Sequence, residues 1–132
     1  MQQMIFVNLP VADLPRAQAF WRALGYDFNP QYSDDTAACL VLTETMFAML
    51  MIPSKFEGFA HVPPVDTARA REVLIAHNVG SRQEVDRIAD AAAAHGGAAH
   101  GEPQDHGFMY YRAFTDPDGH IWEFTHFPGQ AG

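Results

Sequence analysis

Cysteine occurs once in the 132 residues, at Cys39. One thiol excludes an internal disulfide and any cysteine-built zinc site. Its neighbours in residues 37–42, Ala-Ala-Cys-Leu-Val-Leu, place it as a small core residue, and no His/Asp pairing marks it as an activated nucleophile. Long apolar runs are missing as well: none approaches the roughly 18–20 residues of a membrane span, so no membrane partner is expected. The opening Met-Gln-Gln-Met lacks the basic and apolar regions of a signal peptide, so a cytoplasmic location is expected. Basic charge is scarce, with 8 Lys and Arg against 16 Asp and Glu and a formal net charge of −8. Without a Lys/Arg cluster, such a surface repels phosphate backbones and excludes nucleic acid as a partner. It attracts cations, although solubility is the plainer consequence.

What is present is globular: 48% hydrophobic and 18% charged residues. The length suits one domain spanning 1–132, read as module one at about 4–52, a connection at about 53–71 and module two at about 72–127.

That division comes from a repeat of architecture. In residues 5–11, alternation places Val7, Leu9 and Val11 on one face of a strand. Asp13 follows as an N-cap, Pro15 suits the first helical turn, and Leu14, Ala17, Phe20, Trp21 and Leu24 mark a helix over about 14–24 that Gly25 stops. Residues 73–79 repeat the strand. Ser81 with Glu84 forms a capping box, Val85, Ile88, Ala89 and Ala92 share a helical face, and Gly96-Gly97 ends it. The shift that lays Val79 on Val11 also lays Ser81 on Asp13. Strand-like segments follow each helix: 26–29, 37–42 and 46–52 in the first half; a short one near 98–100, then 107–114 and 120–127, in the second. The last two flank Asp116-Pro117-Asp118-Gly119, a strong hairpin signal. The tail 128–132 is expected to fray.

Three segments, FVNLPVADL at 6–14, AFWRALG at 19–25 and DPDGHIWE at 116–123, resemble the vicinal oxygen chelate superfamily, which comprises glyoxalases, bleomycin-resistance proteins and extradiol dioxygenases. The likeness runs from Ile5 to Phe127. It implies an α+β fold of two βαβββ modules, a curled mixed sheet around a central cavity with helices outside, commonly in a homodimer. It also implies a divalent metal held by His on the first strands and Glu on the last strands of the modules. Imidazole and carboxylate suit such an ion while leaving positions open for substrate oxygens. Residue by residue, Phe6 stands at the first of these places, Leu74 at its repeat and Met49 at about the third. Only Glu123 carries the expected side chain. No metal is therefore predicted, although a divalent ion held through histidines elsewhere remains open.

Glu123 shares a strand face with Ile121 and Thr125, opposite Trp122 and Phe124. It is the candidate for catalysis, as a general acid/base, with an ion pair to Arg112 on the neighbouring strand as its structural alternative. The predicted ligand pocket comprises Phe6, Asn8, Met49, Leu74, Tyr110, Tyr111, Arg112 and Glu123: apolar, with few polar groups, and suited to a small organic ligand. Tyr110 and Tyr111 are adjacent, so one faces each side of the strand.

The seven histidines contain no i, i+4 helical pair. His77 has the wrong parity to replace Leu74, His95 suits a helix C-terminus, His100 and His106 flank a loop, and His120 belongs to the hairpin turn. Phe56, Phe59 and Pro63-Pro64 suit either a pocket cover or a dimer interface. The charged residues Arg82, Asp86, Arg87 and Asp90 read as solvated helix faces. Three functions stay open: a metal-independent pocket protein using Glu123, Asn8 and a tyrosine; a metal-dependent lyase, isomerase or dioxygenase; and an antibiotic-sequestering dimer.

Overall fold

The computed structural model describes residues 2–127; Met1 and the tail 128–132, whose fraying was expected, lie outside the described residues. Two compact units divide the chain, Met1–Asp66 and Thr67–Gly132. The class is α+β, and among the described residues there are three α-helices and two mixed sheets, neither closed into a barrel.

The first unit runs β1 (Ile5–Pro10), α1 (Leu14–Ala23), β2 (Asp27–Asn29), a 3-10 turn (Pro30–Tyr32), β3 (Ala37–Val41), β4 (Met46–Met51) and α2 (Pro53–Ala60). Asp13 caps α1 by accepting the Arg16 amide at 3.1 Å. Gly25 ends it at φ 97°, a conformation that a Cβ disfavours. Leu14, Ala17, Phe20 and Trp21 are buried against a sheet ordered β1-β4-β3-β2. Strand β1 runs parallel to β4, and the other pairs are antiparallel. Burial of each large apolar side chain stabilises the unit by about 1.5–3 kcal/mol.

The second unit repeats this plan with β5 (Leu74–Asn78), α3 (Arg82–Ala94), β6 (Ala98–Ala99), β7 (Gln104–Asp105), β8 (Tyr110–Thr115) and β9 (Ile121–His126). Its sheet order is β5-β9-β8-β6, with β7 also on β8. Ser81 caps α3 through the Glu84 amide at 3.1 Å, and Val85, Ile88, Ala89 and Ala92 are its buried face. The repeat extends to single hydrogen bonds: Val11 N–H donates to Met51 O and Val79 N–H to Thr125 O, each at 2.8 Å.

The hairpin between β8 and β9 turns on Asp116, whose Oδ1 accepts the Asp118 and His120 amides while Oδ2 accepts the Trp122 indole at 3.0 Å. Burial raises this carboxyl above its ordinary value, against the opposing attraction of His120 and the three N–H donors. Gly119 sits at φ 83°, and a Cβ there would meet Thr67 Oγ1 at 2.3 Å. That hydroxyl donates to Asp118 O at 2.7 Å, clasping the turn.

Helix α2, the 3-10 turn and β7 are elements the sequence pattern does not announce. On α3, Arg82, Arg87 and Asp90 are exposed and Asp86 is half-buried, in keeping with a solvated helix face, and several of these charges pair at the surface. Arg82 forms a paired bridge to Asp105 at 2.7 and 2.8 Å, and Asp86 binds both Tyr110 and Arg112. The Arg82 guanidinium holds the Asp105 carboxyl down at about 2. Among the described residues no helix is long and apolar enough to cross a membrane.

Candidate functional site

Residues paired across strands share a sheet face, so register decides which side chains meet. In the first unit Leu9, Leu50, Ala38, Ala48 and Leu40 fall on the face packed by α1. The opposite face carries Phe6 paired with Phe47, and Met49 paired with both Asn8 and Cys39. The Phe6 and Phe47 rings stack, with centroids 4.7 Å apart and planes inclined by 12°. Cys39 is fully buried and burial pushes its thiol up, which suits a core residue and not a nucleophile.

A cavity of about 550 Å³ opens on that face. One wall is apolar, made by Met4, Phe6, Phe47 and Met49. The other is polar and comes from residues 29–34, after β2: Asn29, Gln31, Tyr32, Ser33 and Asp34. Local hydrogen bonds hold this wall. Asn29 Oδ1 accepts the Gln31 amide at 2.9 Å, and Ser33 Oγ donates to Asn29 O while accepting the Cys39 amide. Asp34 Oδ1 accepts the Thr36 hydroxyl and the Thr36 and Ala37 amides, and these donors, the hydroxyl foremost, hold its carboxyl below the usual range. Lys55 Nζ lies 3.9 Å from Asp34 Oδ2 and donates to Thr36 Oγ1 at 3.0 Å. Phe6 and Met49 thus meet in one cavity as predicted site residues. Asn8 shares their face without lining it. The polar wall escapes the sequence reading, where Ser33-Asp34-Asp35 registers only as a turn.

In the second unit Trp122 and Phe124 are buried on the α3 side, and Glu123 is half-buried on the other. Its register partners are two alanines, Ala76 and Ala113. Leu74 with Ile121 flanks it in one direction, Tyr111 with Thr125 in the other. Thr125 Oγ1 donates to Asn78 Oδ1 at 3.2 Å. Among the described residues no hydrogen bond or ion pair reaches the Glu123 carboxylate.

Tyr110 and Arg112 lie on the α3 side instead. Tyr110 donates to Asp86 at 2.5 Å, and Arg112 Nη1 bonds Asp86 at 3.1 Å and Asp90 at 3.0 Å. The Arg112–Glu123 pair considered from sequence does not form, because Arg112 pairs with Phe124 and not with Glu123. Hairpin register carries the signal that would have shown this: Thr115 opposite Ile121 forces Ala113 opposite Glu123.

The histidines scatter. His77 is buried against Phe124, its imidazole held below the ordinary value by burial. His95 Nδ1 meets Ala91 O, His126 Nδ1 meets Val79 O, and His120 is buried in the turn. Register makes Met49 the counterpart of Glu123, since Asn8–Met49–Cys39 repeats as Ala76–Glu123–Ala113. Phe6, Leu74 and Met49 offer no lone pair suited to a hard or borderline divalent ion. Among the described residues no three His, Cys, Asp or Glu side chains converge as a metal-binding group. The residues present do not fit that centre.

The family model described as Glyoxalase/Bleomycin resistance protein/Dioxygenase superfamily matches residues 3–124. Among solved structures, the chain is similar to hypothetical protein SA1046 from S. aureus, with 28% identity, a TM-score of 0.78, and coverage of 95% of this chain and 94% of that one. Protein ATC0852 from Agrobacterium tumefaciens shares 26% identity at a TM-score of 0.73, over 98% of this chain and 100% of that one. A glyoxalase/bleomycin resistance protein/dioxygenase family enzyme from Burkholderia phytofirmans PsJN, 16% identical, shares the fold at a TM-score of 0.81, over 96% of this chain and 99% of that one. No curated protein matches the chain.

Proposed function

Because the chain belongs to the glyoxalase/bleomycin resistance protein/dioxygenase superfamily, we propose that it binds a small organic molecule in the largely apolar cavity of its first unit, without the usual metal set. Superfamily members often bind small molecules and form dimers, and a homodimer is part of this reading. One observation carries it. Two of the places where the superfamily sets metal ligands, Phe6 and Met49, line a cavity here, and its volume of about 550 Å³ falls within the small-ligand range of roughly 300–1,000 Å³. Removing apolar ligand surface from water drives such binding at about 25 cal/mol per Å².

In the second unit Glu123 is the group we assign to proton transfer or hydrogen bonding with a ligand on its own sheet face. Its register partners are the small residues Ala76 and Ala113, and no partner among the described residues competes for its oxygens.

Titration of chelator-treated protein with phenylnaphthylamine, followed by its fluorescence, tests the cavity reading. Saturable binding that weakens in Phe6→Ala supports it. Binding that appears only after a divalent metal is added contradicts it and favours a metal-dependent member.

A further inference from the structure

The cavity's two walls differ in what they offer a ligand. Phe6 and Phe47 present a near-parallel ring pair, and the thioethers of Met4 and Met49 lie on the same wall. Rings and polarisable sulfur both favour a flat aromatic partner over an aliphatic one. Opposite them, Gln31 and Tyr32 supply neutral hydrogen-bonding groups, and among the described residues Asp34 is the only charged one in the lining. No Lys, Arg or His lines the cavity among the described residues. Lys55 is not among the lining residues; its ammonium lies 3.9 Å from Asp34 Oδ2 and donates one hydrogen bond to Thr36. A carboxylate, phosphate or sulfonate on the ligand would meet no lining cation and would face the Asp34 charge.

Resting on the pocket reading above, we infer that the cavity selects a flat aromatic molecule bearing no negative charge. The ring continues the Phe6–Phe47 stack, and its polar edge meets Gln31, Tyr32 and Asp34. The formal net charge of −8 acts in the same direction, against anions, before any contact is made.

The test compares probes sharing one ring system, neutral phenylnaphthylamine and anionic anilinonaphthalene sulfonate, with decanol as an aliphatic competitor. The full chain is used throughout. Phenylnaphthylamine is expected to bind about tenfold or more tightly than the sulfonate, and decanol to compete poorly. Asp34→Asn keeps an Oδ1 acceptor for the Thr36 and Ala37 donors while replacing the charged Oδ2 by a neutral NH2, so it should narrow the gap by strengthening sulfonate binding. Phe47→Leu keeps apolar bulk and removes the ring, and should weaken phenylnaphthylamine by about three- to tenfold. Equal affinity for the two probes, unchanged in Asp34→Asn, overturns the charge selection and leaves the pocket reading standing. Decanol displacing the probe with equal strength overturns the aromatic preference. Binding of neither probe to folded protein overturns the pocket reading itself, and this inference with it.

Discussion

Met49 and Glu123 occupy the same place in two copies of one sheet. Each lies on its unit's last strand, on the face away from the unit's first helix, between the unit's first strand and the strand just before it in the chain. One copy keeps a carboxylate between two alanines. The other has a thioether at a cavity wall beside stacked phenylalanines. The repeat keeps one backbone plan while the side chains on the two faces differ.

The helix caps test that equivalence. Asp13→Ala and Ser81→Ala each remove one side-chain acceptor from a first-turn amide, and each should cost about 1 kcal/mol. Urea denaturation of the two variants measures it. A cost at one cap and none at the other would show that only one helix depends on its cap.

Asp116 holds three donors in a buried turn, so Asp116→Ala leaves the Trp122 indole and the Asp118 and His120 amides without this acceptor. The expected destabilisation is roughly 3 kcal/mol. Asp116→Asn should lose less, because its amide oxygen still accepts the turn amides. Thermal melts of the pair rank them.

His77 sets a pH dependence. Burial holds its imidazole below the ordinary value of 6.5, so the unfolded chain binds a proton that the folded chain refuses. Its contribution is full above pH 6.5 and is lost as pH falls below it, until the folded imidazole also protonates. His77→Leu places there the residue type found at Leu9, its counterpart in the first module, and should flatten the acid limb of a melting-temperature profile relative to the parent. An unchanged acid limb would remove His77 from the explanation.

Glu123 and Arg112 should be energetically independent, since they occupy opposite faces of their sheet. In a double-mutant cycle, the stability effects of Glu123→Gln and Arg112→Gln should add within about 0.5 kcal/mol. Arg112→Gln alone should be destabilising through Asp86 and Asp90, whereas Glu123→Gln should be close to neutral. Coupling well above that bound would restore the ion pair.

Much of the fold was legible because its signals are local. Caps, apolar spacing and glycine stops at Asp13, Ser81, Gly25 and Gly96 each act within a few residues, and the Asp116-Pro117-Asp118-Gly119 turn announces its own hairpin. The correspondence of Met49 with Glu123 followed from the repeat. The pocket roster was less legible. Tyr110 and Arg112 turn toward α3 because Asp86 and Asp90, more than twenty residues earlier, wait there, and a strand's own alternation does not say which face a helix will cover. The polar cavity wall depends on Ser33 bridging Asn29 and Cys39, a contact between separate elements that composition does not reveal.

An apolar floor at Phe6 and Met49 in place of the superfamily's metal set, as we propose, predicts a protein that retains no divalent ion. Elemental analysis of purified protein, incubated with nickel, zinc, manganese and ferrous iron and then thoroughly desalted, tests it most directly. The expected result is no stoichiometric metal in the parent and no change in Glu123→Ala. Near one metal per chain, lost in Glu123→Ala, would contradict the claim and make this a metal-dependent member of its superfamily.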